Sequence, residues 1–205
     1  MRRSIKLKDF GLRHSKDNLS SVNGFVKIFQ KNMLTNKTEL LHKQNTIVYA
    51  GREIFAQKLF GKDRIAGSNE SNLFISWMSI GSGGASSSDP NLPLTVLKTD
   101  VSLNNELVIS TTDPATADNG KKKKFDSLNY IQDINNDNKN LIVKASMTIG
   151  RNQNNGDPIN EAGLWFADSD NPSTVTTFVL ASRLTFPTTT KNDIIELIFE
   201  WYYYL

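Results

Sequence analysis

Glu161 is the residue whose setting most invites a chemical reading. It stands in Asn160-Glu161-Ala162-Gly163-Leu164-Trp165, a carboxylate at the head of an apolar run. Glycoside hydrolysis needs a pair of acids, and Glu161 has no partner acid beside it. The expected role is structural: pairing with Arg183 or Lys191, or accepting backbone N–H bonds from an adjacent corner. Gly81-Ser82-Gly83-Gly84 follows an apolar strand-like run, which is where phosphate-binding loops sit. No Gly-Lys-Ser/Thr follows it, and the next stretch is Pro-rich instead of opening a helix. A mobile hairpin or a loop at a contact surface is the expectation. Asp168, Asp170 and Asn171 could offer oxygens to a hard cation, but they lack the glycine and distal glutamate of a calcium-binding hand loop. Asp-Ser-Asp-Asn-Pro is ordinary turn chemistry.

The remaining candidates follow the same course. His14 sits in a basic stretch and His42 in a polar connector, so both read as surface histidines. No Gly-x-Ser-x-Gly elbow lies between a strand and a helix. Trp201 and Tyr202-Tyr203-Tyr204 could form a base-stacking platform. In a strand, however, alternate rings face opposite ways. Trp201 and Tyr203 then belong to the core, while Tyr202 and Tyr204 face outward towards a partner. The chain is therefore read as non-enzymatic, with no catalytic, metal or cofactor-binding residues and no small-molecule substrate.

Positioning these residues falls to a chain of 205 residues, enough for one well-filled domain with an arm. It has no cysteine, which excludes disulfides and thiolate metal sites. No apolar run approaches the roughly 20 residues of a membrane span, and the N-terminus has no apolar signal region. No membrane partner is expected. The net charge of +3 is unevenly placed. Arg2, Arg3, Lys6, Lys8 and Arg13 crowd the first stretch, and Lys121, Lys122, Lys123 and Lys124 form a second cluster. Each reads as a solvated segment, or as one that contacts an acidic neighbour or nucleic acid.

Residues 1–21 read as a basic arm, and 22–205 as a single domain. Strands are expected over 22–30, 73–80, 125–131, 141–149, 159–167, 175–184 and 194–204, with weaker ones at 92–97 and 106–112. The 73–80 run is apolar on both faces, as for a central covered strand. Residues 32–43 read as a polar connection, and 113–124 as a loop with Asp-Pro and Asn-Gly turns. One helix is expected from 45 to 61, where Ile47, Val48, Gly51, Ile54, Phe55 and Leu59 make an apolar stripe. The fold class read from this pattern is mainly β: an antiparallel β-sandwich with one packed α-helix and an extended N-terminal arm.

Asn45-Thr46-Ile47-Val48-Tyr49-Ala50-Gly51-Arg52-Glu53 opens the helix, and the strand over 73–80 runs into Ile80-Gly81-Ser82-Gly83. Then come Ile159-Asn160-Glu161-Ala162-Gly163-Leu164, next Ala181-Ser182-Arg183-Leu184-Thr185-Phe186-Pro187 with Lys191, and a last strand closing on Trp201. Over residues 45–205 this order resembles tailed-bacteriophage virion structural proteins. It is similar to the attachment domain of tail-collar fibre proteins, where a Glu-x-Gly-Leu strand precedes a Pro…Lys corner. The resemblance implies fold-defining roles for Glu161, Gly163, Leu164, Pro187 and Lys191, with Gly163 allowing close backbone approach and Pro187 setting the corner. It implies a virion location and an accessory subunit of the tail, neck or baseplate. The partners it implies are other virion proteins and copies of the chain itself. Capsid decoration is the alternative within that class. A nucleic-acid-binding module using the basic arm and Lys121–Lys124 is the rival outside it, although nucleic acid is not the expected partner.

Overall fold

The computed structural model describes residues 23–44, 51, 54, 73–132 and 141–204. Among these residues ten strands run in chain order: β1 (Asn23–Asn32), β2 (Thr38–Gln44), β3 (Phe74–Gly81), β4 (Thr116–Ala117), β5 (Lys122–Lys124), β6 (Ser127–Gln132), β7 (Leu141–Ile149), β8 (Pro158–Ala167), β9 (Phe178–Thr190) and β10 (Ile195–Tyr204). They form two five-stranded sheets, ordered β2-β1-β10-β7-β6 and β4-β5-β3-β8-β9. All ladders are antiparallel.

One hydrophobic cluster draws on both sheets. The first contributes Val26 and Ile28, Ala145, Met147 and Ile149, and Leu197, Phe199, Trp201 and Tyr203. The second contributes Met78 and Ile80, Ala162, Leu164 and Phe166, and Leu184 and Phe186. The alternation in β7 and β10 is the cause. With a period of two, every second side chain meets the facing sheet. β10 is central in its sheet, and Phe199 stacks on Trp201 and meets Phe186 at a tilt.

The second sheet is covered on its other face as well. Trp77, Trp165, Ala167 and Leu180 pack there with Leu103 and Ala117 from the long segment between β3 and β5, and with Val175 and Phe178 before and within β9. This explains why Ser76 to Gly81 and Ile159 to Ala167 are buried without interruption. The expectation of a central strand covered on both faces is met at β3.

Several sequence expectations are corrected. The polar connection at 32–43 contains β2, which closes a hairpin with β1 through a turn where Asn36 takes a φ of 55°. The loop at 113–124 contains β4 and β5, joined at Asp118-Asn119-Gly120, all three at positive φ. The Asn-Gly signal was therefore a hairpin turn. Residues 92–97 and 106–112 are not strands and make only isolated bridges, Ala85 with Pro93 and Gly81 with Glu106. Their backbone bonds are used to lie across the second sheet: Leu94 donates to Gly84 O, and Leu107 to Ile80 O.

Pro187 does not set a corner. It lies exposed inside β9, where the pairing with β8 slips between Ile159 and Glu161. β9 is an edge strand, and a proline's missing N–H is tolerated at such a bulge. The N-terminal arm lies outside the described residues. So does the expected helix as an element, for only Gly51 and Ile54 of its stripe are described. Both have helical backbone and both are buried, Ile54 within the shared core.

Candidate functional site

Glu161 projects from the covered face of β8 and is fully buried. Its Oε1 accepts the backbone N–H groups of Gly83 (3.0 Å) and Asn105 (2.9 Å). Its Oε2 accepts the N–H of Asn104 (3.1 Å) and both Nε (3.2 Å) and Nη2 (2.6 Å) of Arg183. Arg183 stands on β9 opposite Gly163 and turns its third nitrogen, Nη1, to Asp100 at 2.7 Å. Next to it, Asn160 Oδ1 accepts the N–H of Gly84 (2.6 Å), and its Nδ2 donates to Thr188 Oγ1 (3.1 Å).

The glycines make this possible. A Cβ on Gly84 would lie 2.3 Å from the carbonyl oxygen of Asn160, and one on Gly81 would lie 2.6 Å from Glu161 Oε1. The loop is thus an anion nest of converging amides, and its anion is the protein's own carboxylate. Five donors saturate the carboxylate, so the arrangement ties the segments around 83 and 104–105 onto the sheet. Of the alternatives expected for Glu161, the pairing with Arg183 is present, and the backbone N–H groups it accepts come from Gly83, Asn104 and Asn105 and not from the segment around Pro187.

Lys191 lies elsewhere, at the end of β9. Its buried ammonium donates to the carbonyls of Arg151 (3.1 Å) and Gln153 (2.6 Å) and to Asn155 Oδ1. Burial lowers its pKa, opposed by the charges of Glu196 and Asp193. It closes the turn between β7 and β8 and does not pair with Glu161.

Gly163 meets side chains and not backbone. A Cβ there would sit 3.0 Å from Trp165 Nε1 and 3.1 Å from Leu103. Leu164 is wholly in the core. Of the lysine run, Lys122 and Lys123 are buried. Lys122 Nζ lies 4.1 Å from the centre of the Trp165 ring and binds Glu106 (3.0 Å) and Asp118 (2.9 Å). Lys123 reaches Asp126 (3.2 Å) and the Thr148 carbonyl (2.8 Å) on the other sheet, while Lys124 pairs with Asp170 at 2.6 Å. Lys121 is half-exposed. Tyr202 faces outward, stacked on Phe25 at 4.6 Å, with Lys27 above the pair and its hydroxyl on Glu200. The side chain of Tyr204 and residues Arg2, Arg3, Lys6, Lys8 and Arg13 lie outside the described residues.

Asp168 binds Thr176 and Thr177, and Thr176's side-chain hydroxyl is the main cause of its lowered pKa. Asp170's pKa is likewise lowered, by Lys124. Among the described residues no cluster of metal-ligating side chains occurs. Sequence reasoning missed Asp100, Asn104 and Asn105, whose roles depend on contacts across 56 to 83 residues of chain. The glycine spacing was the one available signal, since glycines after a strand mark where amides converge. No protein family, curated protein or solved structure matches this chain.

Proposed function

We propose that this chain is a non-enzymatic structural subunit of a tailed-bacteriophage particle, an accessory component of the tail, neck or baseplate held by protein–protein contacts. The observation that carries the reading is the Glu161–Arg183–Asp100 cluster. The most chemically able groups of the chain are saturated by one another and by loop amides, and they act as a clamp. That use accords with the fold-defining role the resemblance implies for Glu161. Lys122 and Lys123, two of the four clustered lysines, are likewise engaged internally, which favours protein contact over nucleic acid. The two sheets are read as halves of a β-sandwich, against which the buried Gly51 approaches Ala181.

Quantitative mass spectrometry of particles purified from infected cells tests this. The chain should be present in a fixed ratio to the tail proteins, and in tails separated from heads. Recovery with heads alone would favour capsid decoration, and absence from particles would overturn the reading.

A further inference from the structure

We propose that β6 pairs with β6 of a second copy of this chain, in antiparallel register about a two-fold axis at Asn129. Each sheet has two outer strands, and three of the four are unsuited to pairing. β2 carries Glu39 and Lys43 in its sequence, charged residues of the kind that discourage pairing along an edge. β4 is two residues long. β9 is broken by two register slips and Pro187, and Thr188 already donates to Pro90 O. β6 is different. Ser-Leu-Asn-Tyr-Ile-Gln has no charge, no proline and no glycine, and its ladder to β7 has no slip. Among the described residues nothing pairs with its outer side. Yet it exposes Leu128 (44%), Tyr130 (68%) and Ile131 (42%). An uncharged, unbroken edge of this kind is a template for another strand.

The partner follows from the register. Leu128 and Tyr130 lie opposite Ala145 and Val143, on the core-side face, while Asn129 and Ile131 take the other face. A two-fold pairing that preserves faces must place residues of like parity opposite each other. Centred on Asn129, it sets Leu128 against Tyr130 twice, and aromatic–aliphatic pairs of this kind stabilise antiparallel sheets. The strand is thus complementary to itself, and with no charge on it two copies meet without repulsion. The two β2-β1-β10-β7-β6 sheets would become one. This pairing goes beyond the virion reading and does not depend on it, because it can be measured on the purified chain.

The chain has no cysteine, so single cysteines report cleanly. Residues opposed across an antiparallel pair lie about 4.5 or 5.5 Å apart at Cα, within the roughly 4.4–6.8 Å that a disulfide spans. Under mild oxidation, full-length Asn129→Cys should give a covalent dimer of twice 23.0 kDa, and Leu40→Cys on β2 should not. Adding Tyr130→Lys to Asn129→Cys should abolish the cross-link without lowering the melting temperature of the monomer, since that side chain is exposed. Asn129→Cys that stays monomeric, its edge left to some other protein, would overturn the proposal. So would equal cross-linking through Leu40→Cys, or a cross-link indifferent to Tyr130→Lys.

Discussion

Glu161→Gln keeps the shape of the side chain and removes its charge, leaving Arg183 buried with Asp100 as its remaining acid. Breaking a buried ion pair from one side costs about 3–5 kcal/mol. Because Asp100 still holds Nη1, the lower end is expected in urea unfolding, and a loss under about 1 kcal/mol would show that the clamp is not needed. Asp168 bears on pH. Its folded pKa lies below the ordinary 3.8, so the unfolded chain binds more protons between the two values. The stability it contributes is present above 3.8 and is lost as pH falls through the folded value. Asp168→Asn should flatten that part of an acid-unfolding profile, and an unchanged slope would contradict the assignment. At this scale the sequence offered Arg183 or Lys191 as the cation for Glu161, because an unpaired buried acid demands one, and only Arg183 takes that place. It hid Asn104 and Asn105, which act through backbone N–H groups that any residue type could supply.

Among the elements, β7, β8 and β10 were legible because one or both faces are buried and their composition shows it. Phe199 is wholly buried in β10, and Phe199→Ala should cost about 3–5 kcal/mol. Pro187 provides the contrast: exposed at a bulge, Pro187→Ala should change stability by less than about 1 kcal/mol, whereas a true corner would lose more. The strands that escaped notice are those whose side chains look like loop residues. β5 is Lys-Lys-Lys, and it is held by the nearby carboxylates of Asp118 and Asp126 and by Glu106 and Asp170, which are distant in sequence. β4 has two residues and no periodicity to read. Leucine-rich 92–97 misled in the opposite sense. Its apolar residues are largely exposed, and its backbone lies over the clamp, where Thr185 Oγ1 donates to Leu94 O at 2.6 Å.

The described residues form two sheets around one core, with a second apolar layer and a set of internal ion pairs fixing long segments to one outer face. That such a block bears contacts from neighbouring subunits is the central proposal. Composition pointed to the class of fold, because alternating apolar runs and abundant turn residues leave few other solutions. The station in an assembly depends on surfaces, which periodicity does not report. The most direct test of the proposed virion role is a cryo-electron-microscopy map of the intact phage particle proposed to contain this chain. Density matching the paired five-stranded sheets, in several symmetry-related copies at the tail, neck or baseplate, is the predicted result. A map with every tail, neck and baseplate density assigned to other chains, and none to this one, would contradict it.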